Sequence, residues 1–200
     1  MPDDLVWLER HGTAALFFTD LGQPGTPRAA YAQLPNAVWR YTPHNGVVTP
    51  VIARNDVAVP NGIRTNKAGD ALIISDFSPS QSVGPANASF GNPALWTFDI
   101  DDQLMPRNRR LLSLSVHSAM DGIHLDDHAR IWTAEADGIY IRDRNGIIEG
   151  FVNGSCLIQN ASLPRIANFA LAGNKLIILA QTQIWAIDLE EYVVRPGWLA

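Results

Sequence analysis

Short apolar runs alternate with breaks of Gly, Pro, Asn and Asp along the whole chain, and none of the runs is long enough or periodic enough for an amphipathic helix. The runs fall into a repeating order. An opening signature comes first: Pro2-Asp3-Asp4-Leu5, Pro60-Asn61-Gly62-Ile63, Met120-Asp121-Gly122-Ile123 and, more loosely, Ala167-Asn168-Phe169-Ala170. A short apolar strand follows, at Ala15–Asp20, Ala71–Asp76, Arg130–Glu135 and Lys175–Ala180. Next comes an alternating strand with a central aromatic, at Ala37–Tyr41, Ala94–Phe98, Gly138–Arg142 and Gln183–Ile187. A weaker fourth strand is expected near Val47–Ile52, Arg110–Ser115, Ile147–Val152 and Tyr192–Val194.

The central aromatics stand at positions 39, 96, 140 and 185, hence 57, 44 and 45 residues apart. Four strands per unit and four units at this spacing predict an all-β propeller of four-stranded blades. The blades are expected at about 2–54, 60–115, 120–152 and 165–195, within a single domain. A β-sandwich would also hold many short strands, but it would not repeat the same residue types at the same step of every unit. Trp39, Trp96, Tyr140 and Trp185 are accordingly expected to pack blade on blade.

In an up-and-down blade the start of the first strand and the end of the second lie on one face. That places the openers Asp3, Asn61, Asp121 and Asn168 together at the mouth of a central channel, with Asp20, Asp76 and Glu135 one layer further out. The connections 21–36 and 77–93 also belong to this face and have the length of functional loops. A ring of Asp and Asn oxygens suits a hard cation such as Ca²⁺. Asp-Gly and Asn-Gly are also common turn dipeptides, so a single opener reads as a turn; four at equivalent places put turn and ligand on an equal footing. The acids ending the second strands are expected to cap turns or hold backbone amides between blades. His124 and His128 are not expected to form a metal pair, because a spacing of four does not share a face outside a helix. Ser113, Ser115, His117 and Asp121 do not make a hydrolase triad at extended spacing, and no G-x-S-x-G elbow occurs.

Composition narrows the class of partner. The chain has 200 residues, 46% of them apolar and 18% charged, and a formal net charge of −5. That balance argues against nucleic-acid or anionic-membrane binding, and the basic run Arg107–Arg110 reads as a solvated turn. No apolar stretch approaches a membrane span, and Cys156 has no partner for a disulfide. The start, Met1-Pro2-Asp3-Asp4, lacks the features of a signal peptide. The chain as it stands reads as cytoplasmic, while sequons at Asn87, Asn153 and Asn160 would matter in a secreted relative, so localisation stays open.

At Phe17-Phe18-Thr19-Asp20, Leu34–Tyr41, Pro60-Asn61-Gly62-Ile63 through Asp76, and Met120-Asp121-Gly122-Ile123 through Trp132, the chain resembles the senescence-marker-protein/gluconolactonase/luciferin-regenerating-enzyme-like family. The resemblance covers roughly that family's last four blades of six. It implies hydrolysis of a small-molecule lactone with one divalent metal in the channel: Ca²⁺ first, with Zn²⁺, Mg²⁺ or Mn²⁺ as options. It further implies Asn61 and Asp121 as metal ligands, Asp121 as the catalytic base, and Asp3, Asn61 and Asn168 as substrate-binding residues. The family has Asn where Asp3 stands, and its first-blade Glu ligand has no counterpart in this chain. The competing reading is a catalytically incompetent paralogue, serving as a binding module or self-associating through open blade edges. A strictosidine-synthase-like propeller would share the architecture without the metal, and the Asp/Asn openers argue against it.

Overall fold

The computed structural model describes residues 2–21, 36–78, 93–116, 119–158, 166–180 and 182–195. They form fifteen strands in four antiparallel sheets, each a simple meander. Blade 1 comprises β1 (Pro2–Arg10), β2 (Thr13–Asp20), β3 (Ala37–Thr42) and β4 (Val47–Ala53). Blade 2 comprises β5 (Pro60–Thr65), β6 (Ala71–Asp76), β7 (Ala94–Ile100) and β8 (Pro106–Leu114). Blade 3 comprises β9 (Met120–Leu125), β10 (Ile131–Glu135), β11 (Gly138–Arg142) and β12 (Ile148–Asn153). Blade 4 has β13 (Asn168–Ala172), β14 (Lys175–Ala180) and β15 (Gln183–Asp188). The sheets are the expected propeller blades, and most of both long connections lies outside the described residues.

Tyr192–Val194, expected as the fourth strand of the last blade, does not pair with β15. The chain instead turns back across the β13–β14 hairpin, where Gly173 O accepts from Val193 N at 2.8 Å and Val194 N at 3.1 Å. Burying Val193 in the apolar layer between blades 3 and 4 outweighs extending the sheet. Blade 4 therefore has three strands among the described residues.

Local sequence accounts for the hairpins. His11 and Gly12 both take positive φ, 52° and 74°, and join β1 to β2 in a two-residue turn whose twist matches the strands it connects. Packing between blades follows from the alternation along each strand. Leu8, Ala15, Phe17, Val38 and Ile52 of blade 1 meet Ile63, Leu72, Ile74 and Phe98 of blade 2. Ile73 and Leu95 meet Met120, Ile123 and Ile131 across the next interface. Trp132 and Ile139 meet Phe169, Leu176 and Ile178 across the last. Each fully buried Leu, Ile or Phe in these layers is worth about 1.5–3 kcal/mol. The inner strands β1, β5, β9 and β13 lie side by side in that order.

The repeated aromatics share one orientation. Trp96 pairs across the sheet with Ile74 and packs toward blade 1, and Trp185 pairs with Ile178 and packs toward blade 3. Tyr140 lies opposite Thr133, on the side of its sheet turned to blade 2. Trp39, opposite Phe18, takes the same side of blade 1 and is buried, although no other described blade packs there.

Candidate functional site

Each of the first three blades has a β-bulge at its opening signature. Pro2 pairs with Asp20 and Leu5 with Phe18, leaving Asp3 and Asp4 opposite the single residue Thr19. Asn61 and Gly62 stand in the same way opposite Ser75, and Asp121 and Gly122 opposite Ala134. A bulge of two residues against one re-aims the first side chain away from the ordinary pleat. The first side chains are Asp3, Asn61 and Asp121. In blade 4 the pairing is regular from Asn168↔Leu179 onward.

The second bulge residue must be small where blades approach closely. A Cβ on Gly62 would lie 2.7 Å from Asp121 O, and one on Gly122 would lie 2.5 Å from Asn168 Oδ1. Asp4 holds that place in blade 1 and uses its side chain to tie blades 1 and 2. Its Oδ2 accepts from Ile63 N at 3.0 Å and from Arg64 Nη1 at 2.5 Å.

Asn61 is buried, 5% exposed, and its side chain hydrogen-bonds the Asp121 carboxyl across the interface of blades 2 and 3. Burial pushes the Asp121 carboxyl up to about 7; repulsion from Asp3 and more weakly from Asp4 adds to this, and the Asn61 hydrogen bond opposes it. Asp3 is also raised, by withdrawal from solvent first and by Asp4 second. Structure therefore brings Asp3, Asn61 and Asp121 together. Asn168 is beside Gly122 but is exposed, and its Oδ1 accepts from Phe169 N at 2.9 Å.

Three residues beyond the first bulge position stand Arg64 on β5 and His124 on β9. Burial, with Arg64 second, lowers the imidazole to about 4, so His124 is neutral near pH 7. Its ring lies 5.0 Å from that of Phe169. The available signal was a count of three across a bulge where an unbroken strand counts two. His128 is elsewhere, on an exposed turn with Nε2 3.2 Å from Tyr192 O.

Of the acids that end the second strands, Asp76 and Glu135 anchor the incoming chain. Asp76 accepts from Ala58 N, Val59 N and Ser78 N. Glu135 accepts from Val116 N, Ser115 Oγ and Thr133 Oγ1, and pairs with the fully buried Arg142 at 2.6 Å. Arg142 Nε donates to Ser113 Oγ, so Ser113 and Ser115 belong to this buried network. His117 lies outside the described residues.

Among the described residues, no cluster of three or more His, Cys, Asp and Glu side chains converges on one point. The donors near the bulges are two carboxylates and one carboxamide, an all-oxygen set suited to a hard cation. The negative charge of Asp3 adds to the raised proton affinity of Asp121, and a divalent ion would offset it. The set therefore fits such an ion, with fewer protein ligands than a closed site.

No family model matches the chain, and no curated protein matches it. Solved structures do. A putative gluconolactonase superposes with a TM-score of 0.67 at 18% identity, over 98% of this chain and 60% of that one. A gluconolactonase from Xanthomonas campestris gives 0.69 at 19% identity, over 94% and 57%. Regucalcin from Agrobacterium tumefaciens, described as a calcium-binding protein, gives 0.61 at 16% identity, over 90% and 59%. This chain has the fold of those propellers and spans 57–60% of their length.

Proposed function

We propose that the bulged inner strands carry the catalytic face of a lactone hydrolase of gluconolactonase type that works with a divalent metal, Ca²⁺ foremost. The observation that carries this reading is the Asn61–Asp121 pair: two bulges on neighbouring blades aim an amide and a carboxylate at each other, and the carboxyl titrates near neutrality. The likeness of fold to gluconolactonases and to a calcium-binding regucalcin supports it.

Asn61 Oδ1 and an Asp121 oxygen would hold the ion, which supplies Lewis-acid polarisation of the ring carbonyl when bound. Asp121 would take the proton of the attacking water on its remaining oxygen. Asn61 Nδ2 offers a donor to a substrate oxygen. Asp3 contributes negative charge at the mouth, which favours a cation and disfavours an anionic substrate. Asn168, at the edge beside Gly122 with Oδ1 bonded to Phe169 N, would meet only a substrate that extends toward blade 4.

The test is turnover of a simple aldonolactone with Ca²⁺ present. Asp121→Ala is expected to lower it by at least about a hundredfold, within the range general-base catalysis contributes; turnover retained in that variant overturns the mechanism.

A second reading is favoured by the two end faces of the blade series. Leu5 and Trp7 on blade 1 are 59% and 51% exposed, and Leu179 and Ile184 on blade 4 are 47% and 73% exposed. A module that associates through these faces would place them against another sheet.

A further inference from the structure

We infer that the hydroxyl opposite each of the first two bulges is a positioning device for the candidate site. Thr19 on β2 places Asn61, and Ser75 on β6 places Asp121, each acting on the residue of the following blade. The inference deepens the metal-site reading above and rests on it for its functional meaning.

A bulge leaves the amide of its second residue without the ladder partner it would otherwise have. In blade 1 that amide is Asp4 N, and it donates to Thr19 Oγ1 at 3.1 Å. The same hydroxyl donates to Asn61 O of blade 2 at 2.6 Å. In blade 2 the amide is Gly62 N, which donates to Ser75 Oγ at 2.8 Å. Ser75 Oγ in turn donates to Asp121 O of blade 3 at 2.7 Å. Both relays run from a bulge amide, through one hydroxyl, to the carbonyl of the first bulge residue on the next blade. Thr19 and Ser75 are fully buried.

Blade 3 provides the contrast. Ala134 stands opposite its bulge and has no hydroxyl, and the bulge amide, Gly122 N, bonds Ala167 O directly at 2.9 Å. That carbonyl belongs to the residue before Asn168, so the last opener is gripped one position earlier than Asn61 and Asp121 are. Blade 4 has no bulge at Asn168, and its side chain turns back to Phe169 N. Where the hydroxyl is present the next blade's opener points into the site; where it is missing the next opener points elsewhere. A carbonyl held at hydrogen-bond distance fixes the peptide plane, and with it the direction of the Cα–Cβ bond of Asn61 or Asp121. The separation of two donors on different blades is thereby set by hydroxyls that touch neither substrate nor ion.

The experiment compares the 200-residue chain with Ser75→Ala, Ser75→Thr and Thr19→Val. Two readouts are taken: amide hydrogen exchange at Gly62 and Asp4, and Ca²⁺ affinity by calorimetry. Ser75→Ala is expected to speed exchange at Gly62 by at least about tenfold and to weaken Ca²⁺ binding by a similar factor, while Ser75→Thr, which keeps the oxygen, stays within about threefold of wild type on both. Thr19→Val, nearly isosteric, is expected to speed exchange at Asp4 and to weaken Ca²⁺ binding; it decides the matter if Ser75→Ala does not fold. Unchanged exchange together with unchanged Ca²⁺ affinity in the folded variants overturns the inference, as does faster exchange with unchanged affinity, which would make the hydroxyls structural only. If wild type takes up no Ca²⁺ under any condition, the metal reading fails and takes the positioning role with it. The exchange data then still show whether the hydroxyl relay exists.

Discussion

At the scale of single residues, the chemistry rests on a carboxyl placed where it does not readily ionise. The Asp121 carboxyl binds its proton more tightly in the folded chain, with a pKa of about 7, than an unfolded Asp does at 3.8. Between those values the native state holds more protons, so its stability falls as pH rises. His124 acts in the opposite sense: its pKa drops from 6.5 to about 4, so stability falls as pH drops through that window. Wild-type melting alone mixes the two, and the difference from Asp121→Asn separates them. With chelator present, Asp121→Asn is expected to melt on the order of 5 °C above wild type at pH 8, and the gap is expected to close by pH 4. Thermal melts across that range check it, and a gap that widens on acidification would reverse the assignment. Added Ca²⁺ is expected to raise the wild type toward the variant at pH 8, because an ion that binds only the native state stabilises it.

At the scale of strands and sheets, the ends of the second strands do more than turn the chain. Asp76 and Glu135 receive the segment arriving from the previous blade, and Glu135 does so while paired with a wholly buried Arg142. Removing one member of such a pair strands the other charge. Glu135→Ala is expected to cost about 3–5 kcal/mol, whereas Glu135→Leu combined with Arg142→Met is expected to cost far less; urea unfolding of both variants measures the difference. The anchoring role was legible in the sequence, because the acids recur at one step of the repeat. So were the strands and the blade period, since alternation and turn residues are local signals. The bulges were not, because a bulge is a mismatch in register between two strands and neither strand shows it alone. The place of Arg64 and His124 beside the bulges depends on that same mismatch, as does the pairing of Thr19 and Ser75 with carbonyls of another blade. The misplaced strand at Tyr192–Val194 has a tertiary cause: its apolar residues pattern as a strand, yet Val193 is spent filling the layer over blade 3.

At the scale of the whole molecule, the two end faces differ in kind. Blade 1 presents Leu5 and Trp7, on the side that in every later blade packs against its predecessor, while Trp39 on that same side is buried. Blade 4 presents the other side, with Ala170, Ile177, Leu179 and Ile184. The faces match each other as neighbouring blades do, so association is expected to run head to tail. Light scattering over a concentration series is expected to show mass rising with concentration, and Trp7→Glu or Ile184→Glu alone is expected to hold the chain monomeric. A monomer at every concentration in the wild type would remove this reading.

Because each described blade is a local meander packed chiefly against the blades beside it, the four described blades form a short one-dimensional lattice. Interior units have two neighbours and terminal units one, so the statistical weight of an opened state is greatest at the ends. Thermal opening therefore starts at blades 1 and 4 and moves inward. The last stretch to lose its order is the boundary of blades 2 and 3, which carries Asn61 on one side and Asp121 on the other.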